Sequence, residues 1–329
     1  MARDRVSEEE AKKLDEVRAR LDHQLGLVAS VDTKPLPLAT QSGSDDEAAW
    51  KTWQGWRPMS HHLNKRQLWD AIYEEAMRDA ASEPTLASYL YSTILSHKSF
   101  ETALAFTLAN KLANNTLLGT QLMVMIEGAY RDEPELVESC MADLQAVFDR
   151  DPACERYSQA LLCFKGFQAV QAQRLANWLW RINRKPLALA IQSRMSEVFH
   201  VDIHPAATLG RGLMIDHATG VVIGETAVVG DNVSLLHHVT LGGSGTGRGV
   251  RHPQIGHGVL LGAGATVLGP VVLGAGCKVG AGSVVVTDLP DHVVAVGVPA
   301  RVVKRDIHLL EESLRSMDSG LHYVLDYII

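Results

Sequence analysis

The sequence is short of cysteine and aromatic residues and has no excess of positive charge. Its 329 residues include only four cysteines, which have neither zinc-finger spacing nor the density of a disulfide-stapled secreted domain. Their scarcity predicts reduced thiols in an intracellular protein. The formal net charge is −7 and no run rich in lysine and arginine occurs. Nucleic acid is therefore excluded as an expected partner.

Long hydrophobic runs are also scarce. Residues 258–277 imitate a membrane span because they carry no charge, but they contain six glycines and Pro270, so a buried segment is predicted and no membrane partner is expected. The opening residues are charged and rich in glutamate, unlike a secretory signal or a transit peptide. We expect a cytoplasmic protein, with a plastid or mitochondrial form left open if a transit peptide was removed.

What the sequence does contain is a six-residue repeat over residues 201–303. Its aliphatic positions, often followed by glycine, are Ile223, Val229, Leu235, Leu241, Ile255, Leu261, Val267, Leu273, Val279 and Val285. This period fits neither a helix nor a long alternating strand. It predicts five or so coils of short strands, with aliphatic residues pointing inward and glycines at the corners. The step from Leu241 to Ile255 is fourteen residues, which predicts a glycine-rich loop over residues 242–254.

The periodicity before residue 201 is helical, as in the face formed by Leu68, Ile72 and Ala76. We predict a helical domain over residues 66–200 that serves as a scaffold or an oligomerisation surface. Residues 1–65 read as a variable charged extension with a linker, and residues 304–329 as a tail. The predicted fold is α+β, helices first and stacked coils second.

A few polar residues interrupt the repeat and are candidates for chemistry. A carboxylate that orients one imidazole nitrogen leaves the other free as a base, which favours His217 with Asp202 as its partner. Arg251 could clamp a carboxylate in a two-pronged manner. The plainer interpretations are a structural Asp216–His217 pair and a solvated arginine, and the glycines of the loop lack the pattern of a nucleotide phosphate loop.

Several motifs together resemble the serine O-acetyltransferase family. In the repeat they are VDIHPAA from Val201, DHATGVVIGETA from Asp216, VTLGG from Val239 and RHP from Arg251; in the helical region they are ANKL from Ala109, RDPAC from Arg150, KGF from Lys165 and QA from Gln171. The resemblance covers roughly residues 67–303. It implies a helical domain followed by a left-handed parallel β-helix. Val250 departs from the family pattern, in which an aspartate often precedes RHP.

The resemblance also implies roles for individual residues. His217 would be the general base of acetyl transfer from acetyl-CoA to L-serine, with Asp202 completing its dyad and His252 assisting. The residues implied to hold serine are Asp151 and Asp216 at the amino group, Arg251 at the carboxylate, and Glu225 lining the pocket. Those implied to lie along CoA are Gly262, Ala263, Lys278 and Ala281. No metal is expected.

The resemblance further implies partners. Family members bind O-acetylserine sulfhydrylase through a C-terminal isoleucine, here Ile329 in a tail of the plant type, and L-cysteine is a common feedback inhibitor. They assemble as hexamers, dimers of trimers, with active sites between subunits. Two alternatives stay open from the residues alone: a γ-type carbonic anhydrase binding zinc through histidines such as His217, His237, His238 and His252, and a non-catalytic regulator that only binds the sulfhydrylase.

Overall fold

The computed structural model describes residues 63–245 and 249–305. Nearly all of the predicted N-terminal extension and of the tail, including Ile329, lies outside these residues. The chain divides into two compact units whose described parts are residues 63–103 and 104–305.

The first unit is helical. Helix α1 (Lys65–Ser82) begins with a capping box, in which the Asn64 side chain accepts a hydrogen bond from the Gln67 amide and the Gln67 side chain accepts one from the Asn64 amide. Its predicted face is confirmed, because Leu68, Ile72 and Ala76 are buried. A 3-10 turn (Pro84–Leu86), the short helix α2 (Ala87–Leu90) and a π-helical turn (Tyr91–Leu95) follow. Helix α3 (Phe100–Leu112) begins in this unit and ends in the next.

The second unit begins with five further helices and continues into the repeat. The helices are α4 (Gly119–Asp132), α5 (Glu135–Arg150), α6 (Tyr157–Cys163), α7 (Lys165–Arg181) and α8 (Lys185–Phe199). Pro186 lies in the first turn of α8, where its missing amide hydrogen costs no intrahelical bond. None of the described helices is both long and apolar enough to cross a membrane.

The described residues of the repeat form fifteen short strands. They are β1 (Asp202–Ile203), β2 (Thr208–Leu209), β3 (Met214–Ile215), β4 (Val222–Ile223), β5 (Val228–Val229), β6 (Ser234–Leu235), β7 (Thr240–Gly242), β8 (Gln254–Ile255), β9 (Leu260–Leu261), β10 (Thr266–Leu268), β11 (Val272–Leu273), β12 (Lys278–Val279), β13 (Val284–Val285), β14 (Val294–Gly297) and β15 (Ala300–Lys304). Every third strand up to β13 stacks in parallel on the same face. β14 then stacks in parallel on β12, and β15 pairs antiparallel with β14.

Three sheets result, which we name by face. Sheet A has the order β1-β4-β7-β10-β13, sheet B β2-β5-β8-β11, and sheet C β3-β6-β9-β12-β14-β15. The inward positions stack in register, as Ile223, Leu241, Val267 and Val285 do in sheet A, and all are buried. The predicted helical region followed by a left-handed parallel β-helix is confirmed. Continuous aliphatic columns form the core of the coils.

Two corners of this coil matter for the site. At the C–A corner the chain passes from sheet C to sheet A, and at the A–B corner from sheet A to sheet B. Each strand of sheet A from β4 onward therefore has the C–A corner at its start and the A–B corner at its end, whereas β1 follows α8. The predicted loop lies at the A–B corner between β7 and β8. Gly243, Ser244, Gly245, Gly249 and Val250 in this loop are exposed, whereas His252 and Pro253 near its end are buried.

Candidate active site

The first C–A corner contains two more residues than the repeat requires. Ile215 and Ile223 are eight positions apart, whereas Ile203 and Leu209 are six apart. The extra length forms a tight turn in which His217 and Ala218 both have positive φ, 55° and 57°. The Ala218 amide donates to the Asp216 carbonyl at 2.6 Å and the Thr219 amide to the His217 carbonyl at 2.6 Å. Non-glycine residues seldom adopt this conformation, and when they do it is often at functional sites.

This turn presents the His217 imidazole to the outside. The side chain is 73% exposed, and its Nε2 lies 3.5 Å from Asp216 Oδ2. The ring of His237, one coil later, meets it edge to face with 5.7 Å between centroids. On the other side the Lys165 ammonium, at the start of α7, donates to the Thr219 hydroxyl. An accessible imidazole on a fixed backbone suits proton transfer.

Two acidic residues interact electrostatically beside His217. Asp151 caps the C-terminus of α5 and accepts a hydrogen bond from the Ala153 amide at 2.8 Å. Burial raises the pKa of the Asp216 carboxyl; the Asp151 charge adds to the rise and His217 opposes it. Two carboxylates near one another form a favourable site for a cation such as an ammonium group.

The A–B corner holds a second cluster, built on Glu225 and Arg251. The Arg251 guanidinium donates to Glu225 Oε2 at 2.7 Å. This hydrogen bond lowers the pKa of the Glu225 carboxyl. His204 lies in the same cluster, where burial lowers its pKa while Glu225 and Asp202 oppose that shift. Arg251 is thus oriented by one carboxylate and has nitrogens left for another.

Thr226 connects Arg251 and His252. Its hydroxyl accepts hydrogen bonds from the amides of Arg251 at 3.0 Å and His252 at 3.1 Å, and it lies 2.9 Å from His252 Nδ1. The His252 side chain is buried, which lowers its pKa, and the Arg251 charge lowers it further. Sequence reasoning missed Thr226, although it directly follows Glu225 in a quoted motif.

Asp202 lies on β1, between the two corners. Its Oδ1 accepts a hydrogen bond from Gln192 of α8 at 2.7 Å. In the parts of the chain that the structure describes, no hydrogen bond or ion pair joins Asp202 to His217. The Asp202–His217 dyad stays a prediction.

The residues expected along CoA lie on the C–A corner or beside it. Gly262 and Ala263 follow β9, Ala281 follows β12, and Lys278 is in β12. Backbone hydrogen bonds link successive turns of this corner: His238 N to Thr219 O at 2.8 Å, Gly264 N to His237 O at 2.9 Å, and Gly282 N to Ala263 O at 2.8 Å. The column that begins at the histidines therefore continues as small residues.

The predicted site residues thus form two groups within one chain. Asp151, Asp216 and His217 meet at the C–A corner, and Glu225, Arg251 and His252 meet at the A–B corner. The two corners are opposite ends of the sheet A strands. Sequence reasoning also missed Lys165 and Thr219, for which the only signal was that each lies in a motif already quoted.

Comparison with known proteins identifies this combination of helices and coils. Residues 68–172 match the family model described as serine acetyltransferase, N-terminal, and residues 252–287 match bacterial transferase hexapeptide (six repeats). A probable serine acetyltransferase 1 from Oryza sativa subsp. japonica is 56% identical over 246 residues, 75% of this chain and 81% of the relative. This chain belongs to the serine acetyltransferase family.

Solved structures of serine acetyltransferases agree in fold. The soybean enzyme complexed with serine has a TM-score of 0.71 and 60% identity, over 72% of this chain and 97% of the other. A complex with cysteine has a TM-score of 0.73 and 48% identity, over 74% and 94%. The Brucella abortus strain S19 enzyme in complex with coenzyme A has a TM-score of 0.71 and 46% identity, over 72% and 95%. The matches favour an acyltransferase over a zinc hydratase or a non-catalytic regulator.

Proposed function

We propose that this protein transfers the acetyl group of acetyl-CoA to the hydroxyl of L-serine, giving O-acetyl-L-serine and CoA in cysteine biosynthesis. The observation that carries the proposal is the exposed His217 imidazole beside the Asp216 and Asp151 carboxylates. An imidazole there can take a proton from an alcohol whose ammonium group the carboxylates hold. The serine, cysteine and CoA complexes of solved relatives support the same substrates and the same inhibitor.

The reaction is a direct displacement. His217 takes the serine hydroxyl proton as the oxygen attacks the thioester carbonyl, forming a tetrahedral intermediate. The carbon–sulfur bond then breaks and CoA leaves as a thiolate, which recovers a proton from the His217 imidazolium. No acetyl-enzyme forms. In this scheme Asp202 orients His217, and Arg251, held by Glu225, binds the serine carboxylate through its remaining nitrogens.

The small residues of the C–A corner are proposed to admit the pantetheine arm. Ala263 and Ala281 carry only small side chains beside the backbone column, and Lys278 supplies a positive charge for phosphate. Gly262 lets successive turns stack closely, because its β-carbon would lie 2.7 Å from the Ala281 nitrogen. The proposal is supported by the backbone hydrogen bonds that join this corner, turn by turn, to the one that carries His217.

The experiment is an acetyl-transfer assay on the full chain. Loss of thioester ultraviolet absorbance is followed with L-serine, with D-serine and with no acceptor, and then with L-cysteine added to the L-serine reaction. We expect turnover with L-serine alone and competition by L-cysteine. Thioester loss that is absent, or independent of L-serine, would overturn the proposal, and stoichiometric zinc without acetyl transfer would favour the hydratase.

We further propose a hexamer built from two trimers, with each active site shared by neighbouring subunits. The separation of the two residue groups at opposite ends of sheet A supports this arrangement, because a neighbouring chain could bring an A–B corner to a C–A corner. Sedimentation analysis tests the stoichiometry. Mixing His217→Ala and Arg251→Ala chains tests the sharing, since hybrid sites would regain activity.

Two remaining proposals concern the cell. The tail ending in Ile329 is proposed to bind O-acetylserine sulfhydrylase, which a pull-down with and without Ile329 tests. The protein is proposed to act in the cytoplasm, on the grounds of its cysteine usage. Imaging of a tagged full-length protein tests that location.

A further inference from the structure

Neighbouring groups use every hydrogen-bonding site of the Thr226 hydroxyl. A hydroxyl has two acceptor sites and one hydrogen to donate. The amides of Arg251 and His252 occupy the acceptor sites at 3.0 Å and 3.1 Å. The remaining contact is to His252 Nδ1 at 2.9 Å, so the hydroxyl hydrogen points to that nitrogen.

The protonation of His252 follows from this geometry. The Thr226 backbone amide also donates to His252 Nδ1, at 3.2 Å. A nitrogen that receives hydrogen bonds carries no hydrogen of its own, so the single proton of the neutral ring resides on Nε2. Burial and the neighbouring Arg251 charge both lower the pKa of His252, while Glu225 opposes them, and the lowered pKa favours the neutral ring.

The Nε2 side of the ring is kept free of protein side chains. A β-carbon on Gly224 would lie 1.9 Å from His252 Nε2, and one on Gly243 would lie 3.0 Å from it. Among the described residues Nε2 has no hydrogen-bond partner, and it is not one of the buried unsatisfied atoms. Its hydrogen is available to a bound molecule.

We propose that Thr226 is a positioning residue that holds His252 in the tautomer protonated at Nε2, so that His252 donates a hydrogen bond to a substrate oxygen and cannot act as the base. This inference rests on the proposed function and assigns different roles to the two histidines. His217 accepts the proton of the acceptor alcohol. His252 donates a hydrogen bond to an oxygen that carries or gains negative charge. This hydrogen bond strengthens in the transition state.

The first test removes the hydroxyl hydrogen bond and keeps the side-chain shape. Thr226→Val is expected to lower kcat about tenfold or more, the effect of losing a hydrogen bond worth ~1.4 kcal/mol or more, without changing the KM for acetyl-CoA. Thr226→Ser keeps the hydroxyl and is expected to retain most activity. Thr208→Val, on an outward position of sheet B, is the matched control for the same chemical change.

The second test replaces the ring by amides with a fixed donor. The glutamine amide nitrogen is as many bonds from Cβ as Nε2, and the asparagine amide nitrogen as many as Nδ1. His252→Gln is therefore expected to keep more activity than His252→Asn. In the His252→Gln background, Thr226→Val should lower kcat little further. Any decrease in kcat that persists in this background reports the effect of Thr226 on Arg251. Unchanged kcat in Thr226→Val, or greater activity in His252→Asn than in His252→Gln, would overturn the inference.

A spectroscopic readout separates this inference from the proposed reaction. In protein labelled with ¹⁵N on histidine side chains, the wild type should show a protonated Nε2 and an unprotonated Nδ1 for His252, with Thr226→Val mixing the two forms. That measurement needs no substrate. A correct tautomer in a protein without acetyl transfer would refute the proposed function alone, and the opposite tautomer in an active enzyme would refute the inference alone.

Discussion

A β-carbon on Gly166 would lie 1.9 Å from the carbonyl oxygen of Ile215. Gly166 is in the first turn of α7, and Ile215 ends β3 immediately before the Asp216–His217 turn. Only a hydrogen atom fits between the helix and this strand, and the fit keeps Lys165 within reach of Thr219.

Gly166→Ala should therefore destabilise the protein although alanine favours helices. The gain in helix propensity is at most about 1 kcal/mol, whereas forcing backbone apart in a packed region costs about 1–3 kcal/mol or more. We expect a lower denaturation midpoint and a higher KM for the acceptor. Gly128→Ala in α4 is the matched control, because nothing lies within 4 Å of its β-carbon; it should stabilise the protein.

The buried ion pair of Asp143 and Arg174 is the second target. Arg174 Nε and Nη2 donate hydrogen bonds to the two carboxylate oxygens of Asp143 at 2.9 Å each. Asp143 also accepts a hydrogen bond from the Leu213 amide at 2.9 Å. Asp143→Ala would leave a buried guanidinium unpaired and should cost about 3–5 kcal/mol of unfolding free energy. Glu74→Ala, which breaks an exposed pair with Arg78, should cost less than ~1 kcal/mol. Equal losses in urea unfolding would contradict this expectation.

Asp216→Asn should make the protein more stable and weaken its binding of L-serine. Because burial and Asp151 raise the pKa of Asp216 above its ordinary value of 3.8, the folded protein loses stability as the pH rises from that value through the raised pKa, and the penalty persists above it. The asparagine variant lacks the penalty. Its melting temperature should exceed that of the wild type by about 2 °C near neutral pH, with the gap closing in acid, while its KM for L-serine rises. A gap that is constant with pH would argue against a shifted Asp216.

His217→Ala should abolish turnover and leave the fold unchanged. Loss of a general base costs about 10²–10⁴ in kcat, and the exposed ring contributes little to packing. Steady-state kinetics and circular dichroism check both parts. His257→Ala changes another exposed histidine, in the turn between β8 and β9, and should keep nearly full activity. Comparable loss in both variants would remove His217 from its proposed role.

Arg251→Lys should weaken acceptor binding selectively. Lysine has one ammonium group where arginine has a fork, so it cannot contact Glu225 and a substrate carboxylate with the same geometry. We expect the KM for L-serine to rise about tenfold or more, equivalent to a lost charge-assisted hydrogen bond, with the KM for acetyl-CoA unchanged. Glu225→Gln, which retains an acceptor oxygen for Arg251, should have the smaller effect; a rise confined to acetyl-CoA would contradict the assignment.

The coils were predictable because one rule repeats along them. The aliphatic residues at every sixth position are the buried columns of the three sheets, and the fourteen-residue step after Leu241 marks where the chain leaves the coil. The helices were predictable from their periodicity, as the buried face of Leu68, Ile72 and Ala76 in α1 illustrates. These signals are local in the chain.

The site was predictable only as a set of residue types. Its arrangement depends on contacts between distant segments, such as Gln192 with Asp202 and Thr226 with His252. Thr226 is an ordinary corner residue in the sequence, and its importance appears only when the loop returns to it 26 residues later. The extra two residues at Asp216–His217 could have been counted, but not the backbone turn they form.

The C–A corner has a consequence for how this enzyme can change. The carboxylates proposed to hold the ammonium group of the acceptor come from the first coil and from the end of α5, whereas the small residues proposed to admit CoA come from later coils of the same edge. Recognition of that ammonium group and recognition of the acyl carrier are therefore encoded in different parts of the chain. Substitutions at the first-coil turn and at the α5 terminus are expected to change which amine is accepted while the acyl carrier stays the same.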